Sequence, residues 1–426
     1  MVLCFILILI FLFLIGIPIA VSLGITPVII MTFLSDKLSI NNAIITQRIV
    51  GGLENFVLLA IPFFLLVGKL MNTGGITDRI FNFAKGLIGH FKGGLGHVNV
   101  LASLIFSGIT GTAASDVAGL GAIEIKAMEE GGYDTEFSAA ITGASATVGP
   151  IIPPSMPLVI YGVLAGVSVG KLLIGGIVPG LLLGLVLLVM VAYYAHKNNY
   201  PREEKAPWSK RLRLFIEGFP ALLTPVILIG GMFIGAFTPT EAAAVAVVYS
   251  LVVGFSLKEL NLKIVWEKMQ EAFVDSAVIG IIVASAVVFG WLMVRLNIPT
   301  QLLHLLSNLT DSRILVLLLL NVFFLIVGCF LDSTAALTIF TPIILPVLNK
   351  FNIDPLHFGP VLVLNLMIGL LTPPFGINLF ILSRITKKNV DQLVGPVFKF
   401  VSGLILVLLL IIFVPEIVTW LPNTFM

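Results

Sequence analysis

The chain has 426 residues, of which 58% are hydrophobic and only 11% charged, with a mean hydropathy of +1.12. A soluble domain carries about 25% charged residues, so this chain cannot cover itself with a polar surface, and a lipid bilayer is its natural solvent. The formal charge of +2 forms no basic patch interleaved with aromatics, and nothing points to nucleic acid.

Two cysteines, Cys4 and Cys329, are too far apart in sequence to suggest a metal motif and too few for a disulfide framework. The five histidines (His90, His97, His196, His304 and His357) form no HExxH-type cluster.

In chain order, Val2–Gly16 is apolar with no Lys or Arg before it. It lacks the basic region of a secretory signal and reads as a retained first helix. Thr77–Lys92 is amphipathic, with Ile80, Ala84, Leu87, Ile88 and Phe91 opposite Arg79, Lys85 and Lys92. Such a helix suits the membrane interface or a bracing arm. Gly94–Met128 is long and mostly apolar, interrupted at Ser107–Thr112, and Phe137–Val169 is interrupted at Gly149–Ser155.

A polar stretch, His196–Arg213, holds Lys197, Arg202, Lys205, Lys210, Arg211 and Arg213 against Glu203 and Glu204. The positive-inside rule places it in the cytoplasm. Apolar runs follow at Phe219–Ala236, Glu241–Phe255 and Ser276–Val294, and Asn297–Thr310 is again short and amphipathic. Ile314–Asn349 is interrupted near Gly328–Ser333, Phe358–Ile385 is interrupted at Leu371–Gly376, and Phe398–Ile417 closes the chain. Ile314–Asn349 as one helix would be about 54 Å long against a core of about 30 Å. Two half-helices folded as a re-entrant hairpin fit better.

A shift of 220 residues lays Gly108 on Gly328, Gly149 on Gly369, Pro153-Pro154 on Pro373-Pro374 and Ser145 on Asn365. The expected fold is an all-α polytopic membrane protein with two inverted-topology repeats, because an odd number of crossings per half turns the second half over. The first repeat covers 1–196, with hairpin 94–128 and broken helix 137–169. The linker covers 197–213, and the second repeat covers 214–426, with hairpin 314–349 and broken helix 358–385. Lys258, Lys263, Lys268, Lys387 and Lys388 then fall on the cytoplasmic side with the linker, and both termini fall outside.

The interruptions carry the chemistry. Unpaired backbone groups at bilayer depth cost several kcal/mol each and persist only where something satisfies them. Each tip is expected to meet the break that follows it in its own repeat. Half-helix C-termini offer carbonyls, which with hydroxyls are hard ligands for small cations. Two Na⁺ sites are therefore expected, one from Ser103, Ser107 or Gly108 with Gly149 or Pro150, the other from Gly328, Gly369 and Thr372. The same glycines would also serve simple tight turns and close packing.

Half-helix N-termini offer N–H groups to an anion. Ser107, Thr110, Thr112, Ser155, Asp332 and Ser333 are the expected substrate contacts. A carboxylate at membrane depth, such as Asp332, is rare and usually functional, although Asp332 also suits a helix cap over Ser333–Ala336. Asp116 reads as a structural polar contact. Glu54, Lys69, Glu241, Asp275 and Arg295 lie near helix ends, where snorkelling or inter-helix pairing accounts for them.

The run Gly149-Pro150-Ile151-Ile152-Pro153-Pro154-Ser155, following Ser107–Asp116, resembles the large membrane subunit of tripartite ATP-independent periplasmic (TRAP) transporters. Gly16-Ile17-Pro18 and Leu371-Thr372-Pro373-Pro374-Phe375-Gly376 extend the resemblance over essentially the whole chain. It implies a Na⁺-driven secondary transporter of the bacterial inner membrane, using two or more Na⁺ ions and no organic cofactor. It also implies a periplasmic substrate-binding protein that delivers an organic acid, and a separate small four-helix membrane subunit. Hairpins and broken helices would slide as a transport domain against a scaffold, as an elevator.

The resemblance is nearest the sialic acid branch, with C4-dicarboxylates the other substrate class. Proton coupling is the related alternative, for which Asp332 and Asp116 are the available groups. An intramembrane enzyme is the remote one. No catalytic residue is expected, because no His or second carboxylate is spaced to activate a serine.

Overall fold

A computed structural model describes residues 7–9, 11–13, 15–38, 43–73 and 75–426. Cys4 and much of the helix expected at Val2–Gly16 lie outside the described residues. Within them every regular element is helical. Seven helices are long and apolar enough to cross a membrane, or eight if Ala43–Leu53 and Phe56–Met71, which meet at 55°, count as one bent span.

Each interrupted segment divides into separate helices. The first hairpin runs Gly94–Thr110, turns at Gly111-Thr112 and returns as Ala113–Ala118 and Leu120–Glu130. The second runs Arg313–Phe330 and returns as Ser333–Lys350. The first broken helix is Thr135–Ala146 followed by Met156–Ala165, and the second is Pro355–Gly369 followed by Ile377–Thr386. Under the shift of 220 residues Thr110 meets Phe330, Thr135 meets Pro355 and Met156 meets Gly376, so these boundaries recur to within a residue. The amphipathic segments are helices Ile76–Ile88 and Ile298–Leu309.

Four details depart from the sequence reading. Gly119 divides the return of the first hairpin, with φ −88° and ψ −84°. The 197–213 linker is helical from Trp208, as the start of Trp208–Phe233, because Lys and Arg are good helix formers and no Gly or Pro lies between Pro207 and Gly218. The run at Ser276–Val294 is the later part of Leu262–Arg295, a helix of 34 residues opened by an Asn261 cap. The closing helix is Val390–Phe413 instead of Phe398–Ile417, because Asn389 and Gln392 form a capping box upstream; a separate helix, Glu416–Phe425, follows Pro415.

Helix Ala60–Met71 packs on Pro239–Ser256, and Leu262–Arg295 packs on Ile19–Leu38. The arm Ile76–Ile88 lies against Trp208–Phe233 and the first hairpin. After each break the chain crosses over. Met156–Ala165 packs on the return limb of the second hairpin, and Ile377–Thr386 packs on the Ala113–Ala118 turn of the first.

Ion pairs gather at the Lys-rich end: Lys69–Asp275 at 2.8 Å, Arg79–Glu259 at 3.0 Å, Lys85–Glu203 at 3.0 Å and Lys388–Glu136 at 2.8 Å. Lys69 and Asp275 are thus an inter-helix pair. Glu241 instead closes a capping box with Thr238 at the start of its own helix.

Candidate functional site

The first tip sits on the first break. Gly111, at φ +66°, has no room for a side chain, because a Cβ there would run into the Pro154 carbonyl. Thr110 Oγ1 donates across the turn to one oxygen of Asp116, which is only 2% exposed. The other oxygen, Asp116 Oδ2, has no hydrogen-bond partner. It lies against Gly149, where an added Cβ would come within 2.5 Å of it. Ser155 caps Leu158 N at 3.2 Å and donates to the Pro150 carbonyl, fixing the backbone of the break. Ser107 donates to Leu104 O at 2.6 Å, and Thr112 opens Ala113–Ala118 without a side-chain cap bond.

Beside this junction a buried polar network joins the first hairpin to the first broken helix. Asn99 donates to Thr142 Oγ1 at 2.7 Å and accepts from Ser145 at 2.8 Å. Ser103 lies 3.0 Å from Ser145 Oγ and 3.4 Å from Glu124 Oε1, and its one proton serves one of them. Glu124 is fully buried, and its Oε2 has no hydrogen-bond partner. Sequence reasoning missed Glu124. The signal was its place on the apolar stripe of Gly121, Ile125 and Met128, where a carboxylate is out of character.

The second tip sits on the second break more closely still. Gly328 and Gly369 touch backbone to backbone. Thr372 N donates to Gly369 O at 2.9 Å, and Thr372 Oγ1 donates to Ile368 O at 2.9 Å. Asp332 caps the return limb by accepting from Thr334 N at 2.8 Å, beside the buried Ser333. Phe330 on the tip and Phe375 on the break have ring centroids 5.8 Å apart. Deeper in, Asn365 donates to Asn321 Oδ1, matching the polar role of Ser145 in the first half.

The expected ligands thus fall into groups. Gly328, Gly369 and Thr372 are contiguous. Gly149 and Pro150 lie with Asp116 and Ser155. Ser103 belongs to the neighbouring Glu124 network. Gly108 faces outward from this junction to Pro225, where a Cβ would come within 2.5 Å of Pro225 Cβ. The crossover of the half-helices draws both junctions into one block. Asn378, just past the second break, is fully buried and neither polar atom of its amide has a partner. It too was missed, since a lone Asn after a break carries no sequence signal. Among the described residues no three His, Cys, Asp or Glu side chains group as a metal site.

Apolar spans, two backbone interruptions per half and buried polar groups at each junction describe a multi-span membrane transporter. The chain belongs to the family of the DctM component of the tripartite ATP-independent periplasmic transporter, whose profile it matches over residues 6–417. It is 42% identical over 412 residues to the sialic acid TRAP transporter large permease protein SiaM of Vibrio cholerae, covering 96% of each chain. It is also 42% identical over 410 residues to the sialic acid TRAP transporter permease protein SiaT of Haemophilus influenzae, covering 96% of this chain and 66% of that one. The C4-dicarboxylate TRAP transporter large permease protein DctM of V. cholerae is 34% identical, with 97% and 95% covered. These relatives are named as permeases, not enzymes. In fold, the chain is similar to the YdaH transporter of Alcanivorax borkumensis, with a TM-score of 0.63 at 14% identity over 93% of this chain and 96% of that one.

Proposed function

We propose that the chain is the large permease of a Na⁺-coupled symporter that imports an organic acid, with sialic acid as the preferred substrate. The substrate class rests on the 42% identity to two permeases named for sialic acid, against 34% to one named for C4-dicarboxylates. A periplasmic binding protein would deliver the acid, and a separate small membrane subunit would complete the transporter. The chain would sit in the bacterial inner membrane, with both termini periplasmic. Its halves would be inverted repeats whose hairpins and broken helices move together as an elevator.

The observation that carries cation coupling is the pair of buried carboxylate oxygens, Asp116 Oδ2 and Glu124 Oε2, that have no partner beside the first junction. No Lys or Arg is hydrogen-bonded or ion-paired to either carboxylate among the described residues. A buried carboxylate without a counter-charge is costly. The donor set of carbonyls, hydroxyls and carboxylate suits a hard cation and not a soft metal.

Gly149 and Pro150, beside Asp116, would hold one Na⁺, and Gly328, Gly369 and Thr372 the other. Bound there, the first ion would neutralise buried charge, and each ion would tie a tip to its break. Asp332, Ser333, Ser107, Thr110, Thr112 and Ser155 supply hydroxyls, a carboxylate and helix N-termini for the acid and its hydroxyl groups.

The test is uptake into liposomes holding both membrane subunits, with the matching binding protein outside, for sialic acid and a C4-dicarboxylate, with and without a Na⁺ gradient. Sialic acid uptake that requires the Na⁺ gradient supports the reading. Uptake that persists without Na⁺ and stops when a pH gradient is collapsed would replace it with proton coupling.

A further inference from the structure

A cavity of about 200 Å³ lies apart from both junctions, at the Lys-rich end of the bundle. Its lining comes from three places: the Asp134–Phe137 start of the first broken helix, the Tyr194–Tyr200 end of the span Ile177–Lys197, and Pro396–Phe400 in the closing helix. The floor is aromatic. Phe137 lies 4.7 Å from Tyr200 and 5.6 Å from Phe400, and Tyr194 lies 5.7 Å from Phe400, between ring centroids.

The charges on the rim are arranged unequally. Asp134 accepts from Tyr200 OH at 2.6 Å, and Glu136 pairs with Lys388 at 2.8 Å. A carboxylate has about four acceptor positions, so both retain acceptor capacity toward the cavity. Lys399 is exposed, with its Nζ 5.9 Å from the centroid of the Tyr194 ring, and it has no carboxylate within ion-pair distance among the described residues. The cavity therefore offers one uncommitted cation, an aromatic floor and two carboxylates.

The surroundings say which kind of molecule brings the matching groups. Helices Ile177–Lys197 and Val390–Phe413 pack on each other, and Gly403 admits Met190 between them. Their outer faces run away from the cavity as exposed apolar strips, with Leu185, Val189 and Tyr193 on one and Leu406, Leu410 and Phe413 on the other. A Lys at the end of such a strip reaches for the headgroup layer. A Tyr beside it is typical of the same depth.

We propose that this cavity binds the headgroup of a zwitterionic phospholipid with a primary ammonium, of the phosphatidylethanolamine class, from the leaflet at the Lys-rich end. The phosphate pairs with Lys399. The ammonium lies over the aromatic floor, facing Asp134 and Glu136. The acyl chains follow the apolar strips. A glycerol headgroup with the same single phosphate charge brings no cation to the two carboxylates, and a quaternary ammonium has no N–H to give them. The lipid would join the loop between the first hairpin and its broken helix to the closing helix of the second half.

The test uses the full chain in nanodiscs of equimolar phosphatidylethanolamine and phosphatidylcholine with matched tails, read by native mass spectrometry of the lipids that remain bound. Wild type should retain phosphatidylethanolamine over phosphatidylcholine by about tenfold, the ratio expected of one charge-assisted contact set. Asp134→Asn with Glu136→Gln should bring that ratio near one, whereas Lys399→Ala should lower retention of both lipids and Lys399→Arg should restore it, with melting temperature as the check on folding. No headgroup preference in wild type would overturn the proposal without any variant. So would a preference that survives in Asp134→Asn with Glu136→Gln, or unchanged retention of both lipids in Lys399→Ala. A second protein chain covering this face would show itself as the first of these outcomes.

Discussion

Gly328 and Gly369 meet with no side chain between them: a Cβ on Gly369 would lie 2.5 Å from Gly328 Cα and 2.8 Å from its carbonyl oxygen. The neighbouring atoms are backbone on both sides, so they cannot swing away as a flexible side chain would. Gly369→Ala should therefore lift the second tip off its break. We expect a loss of about 1–3 kcal/mol in stability from overpacking and a near-complete loss of Na⁺-driven uptake. Gly395, in the closing helix, has open space around it. Gly395→Ala should leave uptake intact and stabilise by about 0.5–1 kcal/mol. Thermal unfolding and liposome uptake of the two variants, side by side, check the pair.

Asp332 caps a helix and also stands at a hairpin tip. Capping and cargo contact separate in two substitutions. Asn caps nearly as well as Asp, whereas Ala costs about 1 kcal/mol at such a position. Asp332→Asn should keep the wild-type melting temperature and still lose most uptake. Asp332→Ala should lose both. Full uptake in Asp332→Asn would reduce this residue to a cap.

Glu124→Gln keeps an acceptor for Ser103 and replaces a buried carboxylate whose second oxygen has no partner in the protein. The fold should be at least as stable. The Na⁺ concentration for half-maximal uptake should rise by about tenfold, a change of roughly 1.4 kcal/mol. A brace for the Asn99–Ser145 network, with no part in cation loading, would leave Na⁺ activation unchanged.

Lys69 pairs with Asp275 and Glu271 at a partly exposed site and, among the described residues, bonds to no residue of either tip. Lys69→Met should cost no more than about 1 kcal/mol and leave the substrate concentration for half-maximal uptake where it was. This variant controls for general damage to the bundle.

Much of this architecture was readable in advance because interruptions at membrane depth are costly and leave marks. Two Pro-Pro runs and the glycines at 108, 149, 328 and 369 marked the four main interruptions to within a few residues, but not the one at Gly119. Element boundaries outside the bilayer were less legible. Lys210, Arg211 and Arg213 read as a loop by polarity, yet polarity does not stop a helix. The closing helix began earlier than its apolar run for the same reason. In the candidate site, sequence motifs pointed to residues at the tips and breaks, and nothing in them pointed to Glu124 or Asn378. What distinguishes them is an unpaired atom, which exists only once the neighbouring elements are in place.

The crossover beyond each break has a bearing on biogenesis. Met156–Ala165 leans on a limb that the ribosome makes much later, and Ile377–Thr386 completes a turn made long before. The amino-terminal half must therefore wait in the bilayer with an unfinished surface until the carboxy-terminal half emerges. Two separately expressed halves would need each other to mature, and neither would be a smaller working machine.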